Sequence, residues 1–268
     1  MRSVRRDAYL ARIGVSEPGA PDLGLLSRLH AAHVAAIPFE NLDILLGRGI
    51  SLDPSNVFDK LVTRRRGGYC FEQNALFRSM LEELGYEVIP LEARVRTGTT
   101  TLRPRTHMVL VVRIADRSWV ADVGFGGEGL FEPVPMDGGE SSPAAGLIHR
   151  VVAEKDAYVV QARRTTVWED QYAFALQPVH AVDFEMANWF TSTYPQSPFV
   201  RMLTAQRTTR EIRYVLRYPT FNEIRESSTA TRELERAELM PLLRDVFLID
   251  LPADTVFPAI DTIAESRG

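Results

Sequence analysis

The chain has 268 residues, 45% of them hydrophobic and 25% charged, which is enough apolar sequence for one large domain or two to three small ones. A formal net charge of −4 argues against a nucleic-acid partner, because such a partner calls for a broad basic field. The single cysteine excludes an internal disulfide and is typical of a reducing cytosol.

Targeting and membrane-spanning patterns are not found in the sequence. The N-terminal stretch 1–7 is basic, but no apolar segment follows it, so it does not resemble a signal peptide. No run approaches the roughly 20 apolar residues that a membrane-spanning helix needs. We therefore expect a cytoplasmic protein with no membrane partner.

The N-terminal third is predicted to be mostly helical. Apolar residues at helical spacing predict a helix over 7–36, and Pro21 and Asp22 are a typical start signal within it. His30 and His33 stand three residues apart in this helix. No cysteine, aspartate or glutamate at a suitable spacing completes a metal-ligand set, so one core-facing and one exposed histidine are favoured over a metal site.

The segment 37–42 (IPFENL) breaks this helix at its proline. Its acidic residue, Glu40, stands between two apolar residues with no alternation that would place it on a surface. A partly buried carboxylate needs a partner. We expect that partner among the arginines at 64–66, with a Glu40–Arg66 pair bracing the turn before Cys70.

The stretch 64–74 (RRRGGYCFEQN) holds the only cysteine. Apolar residues at helical spacing follow it as far as Gly85, which predicts a helix beginning near Cys70. Free N–H groups and the dipole at a helix start, with arginines nearby, favour the thiolate form of a cysteine. The alternative is a structural cysteine, since free cysteines are among the most buried residues.

The middle of the chain changes to an antiparallel sheet of the barrel type. Alternating or continuous apolar runs predict strands at 88–96, 108–114, 119–123, 148–153, 158–163 and 166–174. Beyond them, Asp183 is predicted to cap a helix that runs to about Thr193. Further strands are predicted near 199–204, 210–217 and 220–226, and a final helix over 231–246.

A nucleophilic cysteine needs a base and an acid that orients the base. His107 stands immediately before the strand 108–114, and Asp122 lies near the end of the strand predicted to pair with it. If these strands form a hairpin, the two side chains lie at one end of it, within hydrogen-bonding distance. The order cysteine, histidine, acid is that of papain-like hydrolases.

Asp122 is followed directly by the glycines of 122–127 (DVGFGG). These glycines can present backbone N–H groups to an anion or let a thioester pass close to the main chain. The alternative is a wide turn between strands. His149 and His180 are poorer candidates for the base, because neither has an acid at hairpin distance.

Five segments carry a resemblance to the arylamine N-acetyltransferase family, and together they cover essentially the whole chain. They are 37–42 (IPFENL), 66–74 (RGGYCFEQN), 106–108 (THM), 122–127 (DVGFGG) and 192–199 (STYPQSPF). The resemblance implies an α+β fold with a papain-like cysteine active site. It implies a helical domain over 1–86 bearing Cys70, an antiparallel β-barrel domain over 87–182 bearing His107 and Asp122, and an α/β lid over 183–268.

The resemblance also implies a reaction. An enzyme of this family would N-acetylate arylamines or arylhydrazines by a ping-pong mechanism, as in xenobiotic metabolism, with acetyl-CoA as the donor. Cys70 would carry the acetyl group as a thioester, and His107 and Asp122 would complete the triad. The protein is expected to need no metal, to bind no nucleic acid and to be a monomer or homodimer.

Residues near the motifs are candidates for contacts with the two substrates. Four residues would suit a flat aromatic acceptor, and each of them could equally belong to the core: Phe39, Tyr69, Val95 and Phe125. The candidates for acetyl-CoA are Arg103, Thr106, Gly126 and Gly127. Arg103 and Arg105 stand where family members often carry a small pair of residues, so they either meet the phosphates of the cofactor or are solvated loop charges.

Three other functions stay open. An amide synthase that releases or cyclises a polyketide from a carrier-protein thioester would have the same motifs around the triad. A thiol hydrolase would use water as the acceptor. A non-catalytic binding module would be expected to have a broken triad, and here all three members are present.

Overall fold

Helices form most of the N-terminal third. The computed structural model describes residues 4–16, 18–252 and 254–257, so Met1–Ser3 of the basic N-terminal stretch lie outside it. The elements here are α1 (Val4–Ile13), α2 (Leu23–Ala36), β1 (Phe39–Glu40), α3 (Leu42–Leu45), α4 (Pro54–Phe58), a π-helical turn (Asp59–Thr63) and α5 (Cys70–Glu83).

The helix predicted over 7–36 is in fact two helices. Gly14 and Gly19, both with positive φ, lie in the connection between them, a conformation that suits glycine. The predicted start signal is confirmed, because the side chain of Asp22 accepts a hydrogen bond of 2.8 Å from the N–H of Leu25 and so caps α2.

Seven antiparallel strands form the predicted barrel. They are β2 (Glu87–Val95), β3 (Arg105–Ile114), β4 (Arg117–Val120), β5 (Val134–Pro135), β6 (Ile148–Ala153), β7 (Tyr158–Arg163) and β8 (Glu169–Phe174). Their order is β5-β4-β3-β2-β8-β7-β6, and the two outer strands lie against each other, so the sheet is nearly closed. The predicted fold class is confirmed.

The C-terminal part combines helices with a second sheet. Its elements are α6 (Ala181–Thr193), α7 (Pro198–Arg201), β9 (Thr204–Thr208), β10 (Arg213–Arg217), β11 (Thr220–Ile224), β12 (Thr229–Glu233), a 3₁₀ turn (Arg236–Glu238) and α8 (Leu239–Asp245). Asp183 is not the cap of α6 but its third residue. Its carboxylate accepts a hydrogen bond of 2.8 Å from the N–H of His180, which is the cap.

Two predictions for this part are wrong. The strand predicted near 199–204 begins as helix α7, because Ser197 accepts a hydrogen bond from the N–H of Phe199 and a proline follows it at the first helical position. The helix predicted over 231–246 begins only at Leu239. The residues before it form β12, an exposed edge strand whose charged sequence has no apolar face to distinguish it from a surface helix.

The second sheet includes a strand from the N-terminal third. Its order is β1-β9-β10-β11-β12, with Phe39 opposite Gln206 and Glu40 opposite Ala205. On its other side, Phe39 forms a parallel bridge with Gly68, two residues before Cys70. The C-terminal sheet is therefore joined through β1 to the turn that precedes the cysteine.

Buried side chains form three apolar clusters that match the elements. One lies among the N-terminal helices and the adjoining face of β3, one inside the barrel, and one under the second sheet and α8. Phe184 and Ala187 of α6 pack into the first cluster, which brings this helix against the helices around Cys70. Among residues 4–16, 18–252 and 254–257, no helix is long and apolar enough to cross a membrane.

Candidate active site

Cys70 is the first residue of α5, as predicted. The helix start is fixed by Glu72, whose Oε2 accepts a hydrogen bond of 3.2 Å from the N–H of Tyr69. Only 4% of Cys70 is exposed, and its Sγ lies 3.8 Å from the carbonyl oxygen of Thr106 at the start of the barrel. The thiol therefore lies between the N-terminal helices and the barrel.

His107 and Asp122 meet across the predicted hairpin. β3 and β4 pair with Val111 opposite Val120, and this register brings His107 and Asp122 to the same end. Nε2 of His107 lies 2.7 Å from Oδ2 of Asp122, so the predicted hydrogen bond is present. Both side chains are buried, with 2% and 1% of each residue exposed.

The two groups of this pair stabilise each other's charge. Burial works against a charged imidazole, but the charge and hydrogen bond of Asp122, with a smaller contribution from Cys70, outweigh it and raise the pKa of His107. Burial also works against the Asp122 carboxylate, but His107 and hydrogen bonds from Asn74 and Gly124 lower its pKa below the ordinary value. At neutral pH the arrangement favours an imidazolium beside a carboxylate.

Asn74 holds Asp122 in place, and it was not among the predicted site residues. Its Nδ2 donates to Oδ1 of Asp122 at 2.8 Å and to the carbonyl of Met108 at 2.7 Å. Its Oδ1 accepts a hydrogen bond of 3.1 Å from the N–H of Val123. The sequence spacing could have identified it, because Asn74 lies four residues after Cys70 and therefore on the same face of α5.

Gly124 lets the acid-bearing loop approach α5. A Cβ at this position would lie 2.8 Å from Cα of Cys70 and 2.9 Å from Nδ2 of Asn74. No larger residue fits without moving the loop or the helix. The glycine thus sets the distance between the cysteine and the hairpin that carries the base.

Two aromatic rings enclose the imidazole of His107. The ring centroids of Tyr172 and Phe125 lie 4.8 Å and 5.0 Å from that of His107. Burial and the nearby Asp122 raise the pKa of Tyr172 well above its ordinary value, so it remains a neutral phenol. The imidazole of His107 is therefore held in a dry environment, where its attraction to Asp122 is stronger than in water.

The turn before Cys70 rests on a buried network of charges. The predicted pair is present, with Nη2 of Arg66 2.7 Å from Oε1 of Glu40. Asp43 extends it, contacting Nη2 of Arg66 at 3.2 Å and Nζ of Lys60 at 2.9 Å. Lys60 in turn lies 2.8 Å from Oε1 of Glu72, the residue that fixes the start of α5. The network thus runs from β1 to the helix that bears the cysteine.

The glycines of this turn are required by space. A Cβ at Gly67 would lie 2.1 Å from the carbonyl oxygen of Pro38, and one at Gly68 would lie 2.7 Å from Oε2 of Glu72. Both contacts are far closer than Cβ atoms permit. The turn therefore packs directly against β1 and the capping carboxylate.

A cleft of about 880 Å³ opens beside Cys70 and His107. Six of the predicted substrate and cofactor residues line it: Phe39, Val95, Phe125, Arg103, Thr106 and Gly127. Six residues of the C-terminal part also line the cleft: Phe190, Thr191, Tyr194, Phe199, Gln206 and Arg217. None of them was among the predicted contact residues, although Tyr194 and Phe199 lie in the family-like segment 192–199. Local sequence pattern does not place these residues at the cleft, because their strands and helices reach it only through tertiary packing.

Two predicted contact residues lie away from this cleft. Tyr69 is completely buried, with its ring against Phe199 and its hydroxyl bonded to the side-chain oxygen of Asn188, so its contribution is to the packing of α6. Gly126 lies behind Phe39 and lines a smaller adjoining cavity.

His30 and His33 are both core residues, so the expectation that one of them is exposed is wrong. His33 accepts from the hydroxyl of Tyr9 at 2.8 Å through Nδ1 and donates to Oε1 of Gln73 at 2.7 Å through Nε2, a pattern that suits the neutral ring. Burial lowers the pKa of His30 to about 4 and that of His33 to about 3. In the described part of the chain, no group of three or more His, Cys, Asp or Glu side chains could hold a metal ion.

Comparisons with known sequences match this site and fold. The sequence profile of a family described as N-acetyltransferase matches residues 22–256. An arylamine N-acetyltransferase of Mycolicibacterium smegmatis is 41% identical over 215 residues, which are 78% of each chain. An arylamine N-acetyltransferase of Escherichia coli is 41% identical over 192 residues, or 71% of this chain and 68% of the other.

Solved structures agree with the sequence matches. An arylamine N-acetyltransferase from Salmonella typhimurium superposes with a TM-score of 0.90 at 31% identity, covering 99% of this chain and 100% of that one. The Mycobacterium marinum enzyme of the same name, solved in complex with CoA, gives a TM-score of 0.85 at 35% identity, covering 91% and 92%. The profile, the identity and the shared fold show that the chain belongs to the arylamine N-acetyltransferase family and is an acyltransferase.

Proposed function

We propose that the protein transfers an acetyl group from acetyl-CoA to an arylamine or arylhydrazine through a thioester on Cys70. One observation carries the proposal: the thiol at the start of α5 and the imidazole of His107, whose Nε2 lies 2.7 Å from Oδ2 of Asp122, both line one cleft of about 880 Å³. A nucleophile, a base and an acid that orients the base are the groups this chemistry needs. In this proposal they form a catalytic triad.

In the first half of the reaction, Cys70 takes the acetyl group. A proton on His107 leaves Cys70 as a thiolate, which attacks the acetyl carbonyl of acetyl-CoA. The N–H of Cys70, at the first position of α5, is a candidate donor to the oxyanion that forms. The bond to the CoA sulfur then breaks, and the imidazolium supplies the proton that CoA needs to leave as a thiol.

In the second half, an amine takes the acetyl group. The amine nitrogen attacks the thioester, the carbon–sulfur bond to Cys70 breaks, and the now neutral His107 accepts the proton of the amine. The imidazolium–thiolate pair is thereby restored. Aromatic amines are weak bases that stay unprotonated at neutral pH, and the cleft offers Phe39, Val95 and Phe125 as an apolar wall for their rings.

The acetyl-CoA contacts are proposed along the same cleft. Arg103, Thr106 and Gly127 line it, so the guanidinium of Arg103 can meet phosphate oxygens while the thioester passes between Thr106 and Gly127. The M. marinum relative was solved with CoA, which supports a CoA donor here. We also propose that the Glu40–Arg66 pair stabilises the turn that precedes Cys70.

Three wider expectations belong to the same proposal. The domain divisions at 86/87 and 182/183 are proposed because β2–β8 lie within the middle range and β9–β12 within the last. The second division falls inside α6, and β1 of the first range belongs to the C-terminal sheet. A cytoplasmic location is consistent with the lone cysteine. A monomer or homodimer is proposed for the assembly.

Intact-protein mass spectrometry tests the proposal directly. The protein is incubated with acetyl-CoA and no amine, and we expect a gain of one acetyl group in the wild type and none in Cys70→Ala. Adding an arylamine must then remove the acetyl group and give the N-acetylated amine.

Other outcomes would contradict the proposal and favour its alternatives. Labelling by a polyketide-like thioester but not by acetyl-CoA would indicate an amide synthase. Continuous release of CoA without an amine would indicate a hydrolase. An acetylated Cys70→Ala variant would place the acetyl group on another residue.

A further inference from the structure

A second cavity, of about 30 Å³, lies behind the cleft. It is lined by residues of α2, of the loop 122–130, and of β1, β9 and β10 of the C-terminal sheet. Phe39 and Phe125 line both the cavity and the cleft and stand between them. The triad reaction proposed above uses none of the polar side chains that the C-terminal sheet presents here.

Arg213 of β10 lines this cavity with a nearly buried side chain. The residue is 3% exposed, and the one hydrogen bond of its guanidinium within the described ranges runs from Nη1 to the carbonyl of Gly129 at 3.4 Å. No carboxylate in those ranges lies within ion-pair distance of it. A guanidinium has five N–H donors, so most of its donors face the cavity without a protein partner.

Two further polar side chains share this face of the sheet. Thr208 of β9 is directly opposite Arg213, and Gln206 lies two residues earlier on the same strand, so alternation places all three on one side. Gln206 is 8% exposed. Within residues 4–16, 18–252 and 254–257, neither side chain takes part in a hydrogen bond, although the amide and the hydroxyl are both donors.

Asp122 also lines the cavity, but its carboxylate oxygens are hydrogen-bonded to His107, Asn74 and Gly124, so Arg213 has no ion-pair partner among the described residues that line it. Burial lowers the pKa of Arg213 only to about 10, which leaves it charged at neutral pH. Glu128 attracts it from a distance, but the carboxylate of Glu128 is turned towards Arg164, at 3.8 Å. A buried cation without a paired anion is costly, and an anion bound among the three donors would offset that cost.

We propose that Arg213, Gln206 and Thr208 form a binding site for one small monovalent anion, with chloride the ordinary occupant. The single uncompensated charge matches one negative charge. The volume of about 30 Å³ exceeds the roughly 10–15 Å³ that one water needs on this measure, but it leaves no room for an organic acid or a nucleotide phosphate chain. This inference does not rest on the acetyl-transfer mechanism, although Asp122 lines the cavity as well.

Thermal unfolding in matched salts tests the site. Wild-type protein is unfolded in sodium chloride and in sodium gluconate at equal ionic strength, since gluconate is too large for the cavity. We expect chloride to raise the Tm of the wild type by about 2–5 °C over gluconate, and this difference to vanish in Arg213→Met. Arg210→Met is the matched control, because Arg210 is nearby but its side chain is 53% exposed, and it should keep the wild-type difference.

Crystals of the wild type soaked in bromide give a second measurement that does not depend on the stability of a variant. An anomalous peak within hydrogen-bonding distance of the Arg213 guanidinium is expected. A bromide peak at surface sites only would overturn the proposal. So would a chloride effect on Tm that is equal in the wild type and in Arg213→Met, because it would then arise elsewhere.

Discussion

Asn74 and Asp122 are joined by a hydrogen bond of 2.8 Å that runs from the helix bearing Cys70 to the hairpin bearing His107. Asn74 also contacts the backbone of Met108 on β3 and of Val123 in the loop that follows β4. One side chain thus fixes the acid and, through it, the base relative to the nucleophile.

Removing this link should slow the reaction without unfolding the protein. In Asn74→Ala, Asp122 loses a donor and His107 a fixed partner, and we expect kcat/KM for acetyl transfer to fall by roughly 10- to 100-fold. The hydrogen bond also lowers the pKa of Asp122, so its loss should move the acidic limb of the pH–rate profile to higher pH. Asn56→Ala, at an exposed asparagine, is the control, and an unshifted profile in Asn74→Ala would argue for a purely structural contribution.

Gly124→Ala should separate the hairpin from the cysteine. The new methyl group would lie 2.8 Å from Cα of Cys70, so the loop must move outwards. A displacement of about 1 Å at a reacting group can lower the rate of acetylation by acetyl-CoA about 100-fold. Single-turnover acylation, followed by mass spectrometry, measures it. Gly24→Ala provides the comparison, because a Cβ there meets its neighbour at an ordinary 3.4 Å. Equal rates in both variants would show that the loop tolerates the methyl group.

The charge network should be sensitive to the loss of one partner. Lys60→Met leaves Glu72 and Asp43 buried without their shared cation, and we expect the free energy of unfolding to fall by about 3–5 kcal/mol in urea titrations. The double variant Lys60→Met/Glu72→Gln should recover part of this loss, because one of the unpaired charges is gone. Lys155→Met, at the surface, should change little. A double variant as unstable as the single one would contradict the pairing.

Acid should destabilise the protein through its buried neutral histidines. The folded pKa of His33 is about 3, while an unfolded histidine titrates near 6.5, so the unfolded state binds the proton first as the pH falls. Stability from this residue is complete above about pH 6.5 and is lost progressively below it. His33→Gln should therefore show a shallower loss of unfolding free energy between pH 6.5 and 5, by up to about 1.4 kcal/mol per pH unit.

The exposed His180 supplies the control for this measurement. His180→Gln is expected to follow the wild-type slope, since its side chain lies at the surface start of α6. Denaturant titrations at several pH values give the slopes. A slope in His33→Gln equal to that of the wild type would mean that His33 is protonated in the folded protein.

The parts of the site that depend on short-range pattern were predictable from the sequence. The helix start at Cys70 follows from local spacing, and the hairpin that joins His107 to Asp122 follows from two apolar strands around a tight turn. The Glu40–Arg66 pair was also predictable, because an acid between apolar residues needs a cationic partner and the arginines at 64–66 were the obvious candidates. In each case the interactions that determine the structure lie within a strand, at a helix end or at a single side chain.

The parts that were missed depend on contacts between distant segments. The two-residue strand β1 pairs with β9 far along the chain, and so short a strand has no pattern of its own. Tyr69 resembles a substrate contact in sequence, but its place is decided by the packing of α6 above it. The polar face of Gln206, Thr208 and Arg213 becomes visible only when the sheet closes over the loop 122–130.

The bridging position of β1 limits how the enzyme can exchange its substrates. If the C-terminal sheet rotated away from the N-terminal helices, the pairing of Phe39 with Gln206 would have to break. The rotation would also pull on the hydrogen bond of 3.0 Å between Glu40 N–H and the carbonyl of Gly68, beside the nucleophile. We therefore expect substrates to enter through the mouth of the cleft without a hinged opening of the C-terminal sheet.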